Sequence, residues 1–307
     1  MAIDRIIFRG SSPTRLGMFR AAFFGLAFVF YVVLGIGSHS AHIAEFADTP
    51  ASWWAPMVLF EALGITPPFS PALLHGVFIA WAMALFAAAV GLMTRTSCAM
   101  AFLLGLFVLG MPLNFGKLNH SDTIPLIAML VFAFGRSGDG FSVDALLRKR
   151  PTDVAGEYGW PIQFIRVVGC MAFFLAGFAK LHHGGLDWIT TDRLAYLLVS
   201  HHYSHAPLVS WALPLTEHAW LMRPMAAGVI VLELCVPLAL INRRLALILI
   251  PAMAASQLGF GLCMGVWFWP YALYYLAWLP WQQPTVPAPI TAQTVAPTPD
   301  TAAVLAA

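Results

Sequence analysis

Charge is scarce in this sequence. Of 307 residues, 16 are Lys or Arg and 14 are Asp or Glu, so 10% are charged while 60% are hydrophobic. A soluble domain carries roughly a quarter charged residues, and a single water-soluble core cannot hide this much apolar surface, so a bilayer must solvate it. A net charge of +2 excludes the broad basic face of a nucleic-acid-binding protein. Cysteine is also sparse. Cys98, Cys170, Cys235 and Cys263 lie in or beside apolar runs, in neither a CxxC nor a loop framework, which excludes a zinc or disulfide scaffold and leaves them as small packing residues. No internal repeat is visible, and no polar stretch is long enough to form a second domain.

What is abundant is apolar runs. Arg5, Arg9 and Arg15 precede the first, Leu16 to Gly37; its 22 residues exceed the roughly 7–15 of a signal-peptide core, so it reads as an uncleaved span. Further runs lie at 72–93, 97–113, 121–135, 161–181, 225–241, 245–264 and 266–281. Most approach the ~20 residues that cross a bilayer, and helices are the form such runs take in lipid. The expectation is an all-α, polytopic integral membrane bundle of about eight transmembrane helices. Residues 1–15 form a cytoplasmic N-terminus, 16–281 the membrane domain, and 282–307 a disordered tail rich in Pro, Thr and Ala.

Lysine and arginine set the orientation. With the N-terminus inside, twelve of the 16 fall on the cytoplasmic side: Arg5, Arg9, Arg15, Arg20, Arg95, Arg136, Arg148, Lys149, Arg150, Arg166, Arg243 and Arg244. The remaining four are Lys117, Lys180, Arg193 and Arg223. This positive-inside bias places both termini in the cytoplasm, as in a bacterial cytoplasmic membrane.

Under that topology all ten histidines lie at outer loops or outer helix ends, among them His120, His182, His183, His201, His202 and His205. They read either as a hydrated interfacial surface or as a shared site for protons or metal. The run Asn114 to Asp122 precedes a span of only 15 residues containing Pro125, which draws Asn119 and His120 toward a sheltered cavity unless the bilayer is locally thin. Lys180 closes the fifth span, either snorkelling to the interface or desolvated enough to act as a base. Arg166 reads as an anchor near an inner helix end. Glu233 is the sharpest anomaly: a mid-span carboxylate must be protonated, paired or facing a polar cavity.

Short motifs then carry a resemblance. Gly91-Leu-Met-Thr-Arg-Thr-Ser-Cys98, Asn119-His120-Ser121, Phe141-Ser-Val-Asp144, Ala176-Gly-Phe-Ala-Lys-Leu181 with Asp187-Trp188, Leu232-Glu233-Leu234 and Ser256-Gln257-Leu258 follow one another over roughly residues 16–280. In that order they resemble the transmembrane portion of vitamin K-dependent gamma-glutamyl carboxylase, within the wider horizontally transferred transmembrane domain family. The resemblance implies a quinol-dependent carbon–carbon lyase. Such an enzyme oxidises a vitamin K-type (menaquinol-like) hydroquinone with O2 to a strong base, deprotonates a glutamate γ-carbon and adds CO2. It further implies that Lys180 deprotonates the hydroquinone and that His120 assists at the carbanion and CO2 steps. The pocket is expected from Asn119, Trp188, His201, His202, Glu233 and Gln257, with no metal.

Three departures mark the limits of the likeness. Only a short tail stands where the carboxylase has a large extramembrane region. His201-His202 replace a basic residue followed by His, and Ala252 to Ser256 contain no histidine. Two other readings therefore stand beside the enzyme: a non-carboxylating membrane partner in maturation or export of a small secreted peptide, and a His-rich metal- or haem-binding protein. The last requires three or more of His182, His183, His201, His202 and His205 to converge.

Overall fold

The computed structural model describes residues 10–35, 40–116, 121–148, 156–205 and 209–281, and over these the chain is helical with no strand. Helix α1 (Pro13–Phe28) starts where the Ser12 hydroxyl accepts from the Arg15 amide at 3.1 Å and Pro13 supplies a pre-set first turn. A π-helical turn, Val29–Val33, continues it. Helix α2 (Pro71–Val90) opens on another proline and ends at Gly91, whose φ of 74° is the left-handed cap. Helix α3 (Thr94–Gly110) runs into a 3-10 turn, Met111–Phe115. Then come α4 (Thr123–Phe134), α5 (Gly156–Gly184), α6 (Arg193–His205), α7 (Ala219–Cys235), α8 (Arg243–Met264) and α9 (Trp269–Tyr275).

Five of these helices are long and apolar enough to cross a membrane: α1 and α3 with their extensions, α2, α5 and α8. The other three expected spans fall on shorter elements. The 12 residues of α4 rise only about 18 Å. The run 225–241 is divided at Pro237, which cannot donate to the helix before it, into α7 and a turn, Leu238–Ile241. The last run becomes α9 and a 3-10 turn, Leu276–Trp278. In the other direction, α5 is 29 residues where 161–181 was expected. Its polar ends, Glu157 and His182-His183, stay helical beyond the apolar run, so Lys180 is not its terminus.

Helices α1 to α4 pack as one half. Phe19, Phe23 and Phe24 of α1 meet Phe132 of α4 at ring-centroid distances of 5.1, 5.3 and 5.5 Å. The fully buried Trp81 of α2 donates its indole N–H to the Ala101 carbonyl of α3 at 2.9 Å. In the second half α5 packs on α7, and α6 lays Leu194, Ala195 and Leu198 against Met222 and Ala226 of α7 and Met264 of α8.

Candidate functional site

Two charged residues meet inside the second half. The Lys180 ammonium on α5 donates to both carboxylate oxygens of Glu233 on α7, at 2.7 Å each. Glu233 is 7% exposed. A carboxylate at that depth costs several kcal/mol alone, and this bidentate contact is what makes the position tenable. Gly177 lies one turn before Lys180, and a Cβ there would come within 2.9 Å of the Glu233 Cβ, so the glycine lets α7 approach closely enough for the pair to close.

An aromatic ring lies beside the pair. The Lys180 ammonium lies 5.8 Å from the Trp188 ring centroid, a cation–π contact, and the indole packs on Gly184. Phe173, two turns before Lys180, is buried with its ring 5.1 Å from that of Tyr271 on α9. Phe178, a natural candidate for shelter from its place in the sequence, is 52% exposed and stacks on His182. Two residues before Lys180, it points off the opposite side of α5. Tyr271 lies within electrostatic reach of Glu233 on one side and of Tyr275 on the other. The Tyr275 hydroxyl donates to Gln257 Oε1 at 2.9 Å. Gln257 thus bonds to Tyr275 and not to Lys180, whose hydrogen bonds go to Glu233.

His201 and His202 sit on α6, a separate element at the α7–α8 end, and neither is hydrogen-bonded to Lys180 or Glu233. His201 stacks on His205, while the buried Nδ1 of His202 has no hydrogen-bond partner among the described residues. Nor, among the described residues, do three or more His, Cys, Asp or Glu side chains group closely enough to hold a metal ion. His182, His183, His201, His202 and His205 therefore do not converge as a His-rich metal or haem centre requires.

Asn119 and His120 lie outside the described residues, but the polar groups flanking them are buried. Asn114, Ser121 and Asp122 are all under 8% exposed. Asn114 fixes the preceding loop, accepting from the Met57 amide at 2.7 Å and donating to the Gly110 carbonyl at 2.8 Å. The Tyr31 hydroxyl, presented from the π-turn of α1, donates to Asp122 Oδ1 at 2.7 Å. The shortness of α4 is the physical reason: its first turn starts well inside the bundle.

Two further motifs are architectural. Asp144 accepts from the Met93 and Thr94 amides at 3.0 and 2.7 Å and so caps α3. Arg20, fully buried on α1, donates to the carbonyls of Phe141 at 2.6 Å and of Ala89 and Ser137 at 3.4 Å. A Cβ at Gly91 would collide with its guanidinium. The stretches from Gly91 to Cys98 and from Phe141 to Asp144 thus close one joint between α1, α2 and α3. Neither Arg20 nor the two tyrosines near Glu233 stand out in the sequence, since an arginine near a span end reads as an anchor and a tyrosine as interfacial.

A helical bundle with five membrane-length apolar helices defines this chain as an integral membrane protein, and the Lys180–Glu233 pair gives it an ionisable site inside the bundle. The HTTM domain family model matches residues 8–282, nearly the whole chain, and the chain belongs to that family. No curated protein and no solved structure matches it.

Proposed function

We propose that this chain is a membrane enzyme of the vitamin K-dependent carboxylase type, using a hydroquinone, O2 and CO2 to modify a glutamate-type or other carbon acid. The observation that carries this reading is the Lys180–Glu233 pair, 2.7 Å to both oxygens, beside an aromatic wall. An ammonium is not a base. Lys180 becomes one when a proton on Nζ passes to a Glu233 oxygen already in hydrogen-bond contact, leaving a neutral amine to receive a proton from a hydroxyl. Trp188, Phe173 and Tyr271 supply the flat apolar surface that an aromatic ring needs, so these residues fit a vitamin K-type hydroquinone. When bound, that group supplies, with O2, the strong base a carbon acid demands. Asn119 and His120 complete the site in this reading, with His120 acting at the carbanion and CO2 steps. The charge asymmetry supports a site toward the outer side of a bacterial cytoplasmic membrane, with both termini inside, where a small secreted peptide is a fitting substrate.

The test is purified protein in lipid nanodiscs with a vitamin K hydroquinone, O2 and labelled bicarbonate. Epoxide formation is read by chromatography, and label is followed into a glutamate-containing peptide. Both products are expected. Lys180→Arg is expected to abolish them with the fold intact, and Lys180→Ala to recover some turnover with an added small amine. Native epoxide formation by Lys180→Arg, or none from the unaltered chain with any hydroquinone, overturns the reading. Labelling of engineered cysteines near Thr191, and not near Ala303, by an impermeant outside reagent checks the orientation.

A further inference from the structure

The chain between α5 and α7 builds a layer of its own. Leu194, Ala195 and Leu198 of α6 join Ala212 in a hydrophobic cluster separate from the main core. Its other members are Met222 and Ala226, from the first turns of α7, and Met264, the last residue of α8. Three further contacts tie the segment to the same end of the bundle. Asp192, just before α6, accepts from Arg223 at 3.4 Å. The Val209 amide donates to the Leu262 carbonyl at 3.3 Å. The His205 carbonyl, at the close of α6, lies so near Gly265 that a Cβ there would come within 2.6 Å of its oxygen. Both ends of α6 are thus held at one end of the bundle, although its 13 residues rise about 20 Å. It lies across the helix ends instead of running beside them. Its outer surface is aromatic. Tyr196 and Tyr203, two turns apart on one face, are 72% and 79% exposed, and Trp211 and Trp220 are 60% and 75% exposed. Asp192, Arg193, Glu217 and His218 are exposed near them in the chain. The exposed residues of the long helices differ: Ile79, Met83 and Phe86 on α2, and Leu247, Ile248 and Leu258 on α8, carry no polar tip.

We propose that residues 187–205 and 209–220 form a cap lying in the headgroup layer of the bilayer, with Tyr196, Tyr203, Trp211 and Trp220 set among the lipid headgroups. The depth follows from α8. Its 22 residues rise about 33 Å, close to the ~30 Å of hydrocarbon, so a span of that length ends at headgroup level. Met264 on its last turn packs against α6, which puts α6 at the same level. Composition agrees with depth. Tyr and Trp pair an apolar ring with a polar tip and collect where hydrocarbon meets water, while aliphatic side chains face the acyl chains. The charged residues interleaved with these rings exclude a deeper position. The surface that covers the aromatic face is therefore the membrane into which the spans already run. Neither the chemistry at Lys180 nor the sidedness of the membrane bears on this placement.

The experiment is depth measurement by electron paramagnetic resonance, on the full-length protein in phosphatidylcholine nanodiscs. Nitroxide labels go on Tyr196→Cys and Tyr203→Cys, with Leu247→Cys as the hydrocarbon reference. Cys235→Ala and Cys263→Ala are made throughout, and the buried Cys98 and Cys170 stay. Collision with a water-soluble nickel chelate is compared with collision with O2, which concentrates in hydrocarbon. Nickel collisions at both tyrosine positions are expected several-fold below those of a nitroxide free in buffer and several-fold above those at Leu247. The two labels are expected at one depth, because an upright α6 would separate them by about 10 Å, the rise of seven residues. Both tyrosines are exposed, so unchanged thermal unfolding is the folding control. Trp220→Cys, in the first turn of α7, gives a third reading that does not depend on the shape of α6. Nickel access equal to that in buffer overturns the proposal and leaves the aromatic face in water for a protein partner. Access as low as at Leu247 overturns it by sinking the cap into hydrocarbon. An offset of about 10 Å between the two tyrosine labels also overturns it, since α6 would then stand upright.

Discussion

The two halves of the bundle bury polar side chains in different ways. In α1 to α4 they hold backbone: Arg20 binds three carbonyls, Asp144 two amides, and Asn114 an amide and a carbonyl. In α5 to α9 several hold one another, Lys180 with Glu233, Tyr275 with Gln257, and Cys170 Sγ with the Tyr274 hydroxyl at 3.4 Å, although Arg166 binds the Ala277 carbonyl. Bonds to backbone fix where helices cross and have no proton to exchange at neutral pH. Bonds between ionisable side chains leave a proton to move. The first half is therefore read mainly as scaffold and the second as the place for chemistry, although Tyr31–Asp122 and Arg136–Asp139 are side-chain pairs of the second kind beside the scaffold.

The sharpest way to break this contrast is Arg20→Met. It strips the donors from three carbonyls inside the first half while roughly keeping apolar bulk. The expected loss is about 3–5 kcal/mol, the scale of removing a charged partner from a buried network. It is read as a large fall in folded yield and in thermal midpoint. A midpoint near that of the unaltered chain would mean that Arg20 is not holding the joint.

The second half should respond in the opposite pattern. Glu233→Leu alone leaves the Lys180 ammonium without its carboxylate, and Lys180→Met alone leaves a carboxylate inside the bundle; each is expected to cost about 2–4 kcal/mol. Made together they leave no orphan charge, and the double variant is expected to regain most of the stability. It should remain inactive in the epoxide assay. Thermal midpoints of the four proteins form a double-mutant cycle. Additive losses would show that the pair is not coupled and that its geometry carries no chemistry.

Much of the fold was legible. Ser12-Pro13, Pro71, Gly91 and Asn242 mark helix ends that local chemistry dictates. Glu233 was legible as an anomaly because a charge inside an apolar run has few tenable states. Its partner was not, because Lys180 is 53 residues away and pairing depends on how α5 and α7 cross. Length misled at both extremes: hydropathy sees an apolar run, not the helix, so it shortened α5 and joined α7 to the turn after Pro237. Gln257 was grouped with Lys180, yet its hydrogen bond is to Tyr275. Periodicity says which residues share a helix face, not which helix that face meets.

A smaller change sharpens the role of the α5–α7 crossing. In Gly177→Ala the added methyl meets the Glu233 Cβ at 2.9 Å and must push α7 away. Overpacking of this kind costs about 1–3 kcal/mol. Turnover is expected to fall by more than stability, since the 2.7 Å contacts stretch first. Parallel measurement of thermal midpoint and epoxide rate decides it, and an unchanged rate would mean that the pair tolerates a looser crossing.

The smallest effect expected is a pH dependence from the scaffold. Burial alone pushes the Asp144 carboxyl up, but amide donation from Thr94 and Met93, with the Arg148 charge nearby, outweighs it and holds the group below its ordinary 3.8. A carboxyl lowered on folding contributes stability that is fully present above its unfolded value and is lost as pH falls through the folded one. The thermal midpoint should therefore be insensitive to Asp144 above about pH 5 and decline below 3.8, as the protonated side chain stops capping α3. Asp144→Asn keeps an acceptor oxygen but cannot titrate, so it should lower the midpoint modestly at pH 7 and flatten the acid limb. An acid limb as steep in the variant as in the unaltered chain would assign it to other carboxylates, such as Asp139 and Glu157 beside Arg136. The cap would then hold α3 through hydrogen-bond geometry, with its charge contributing little.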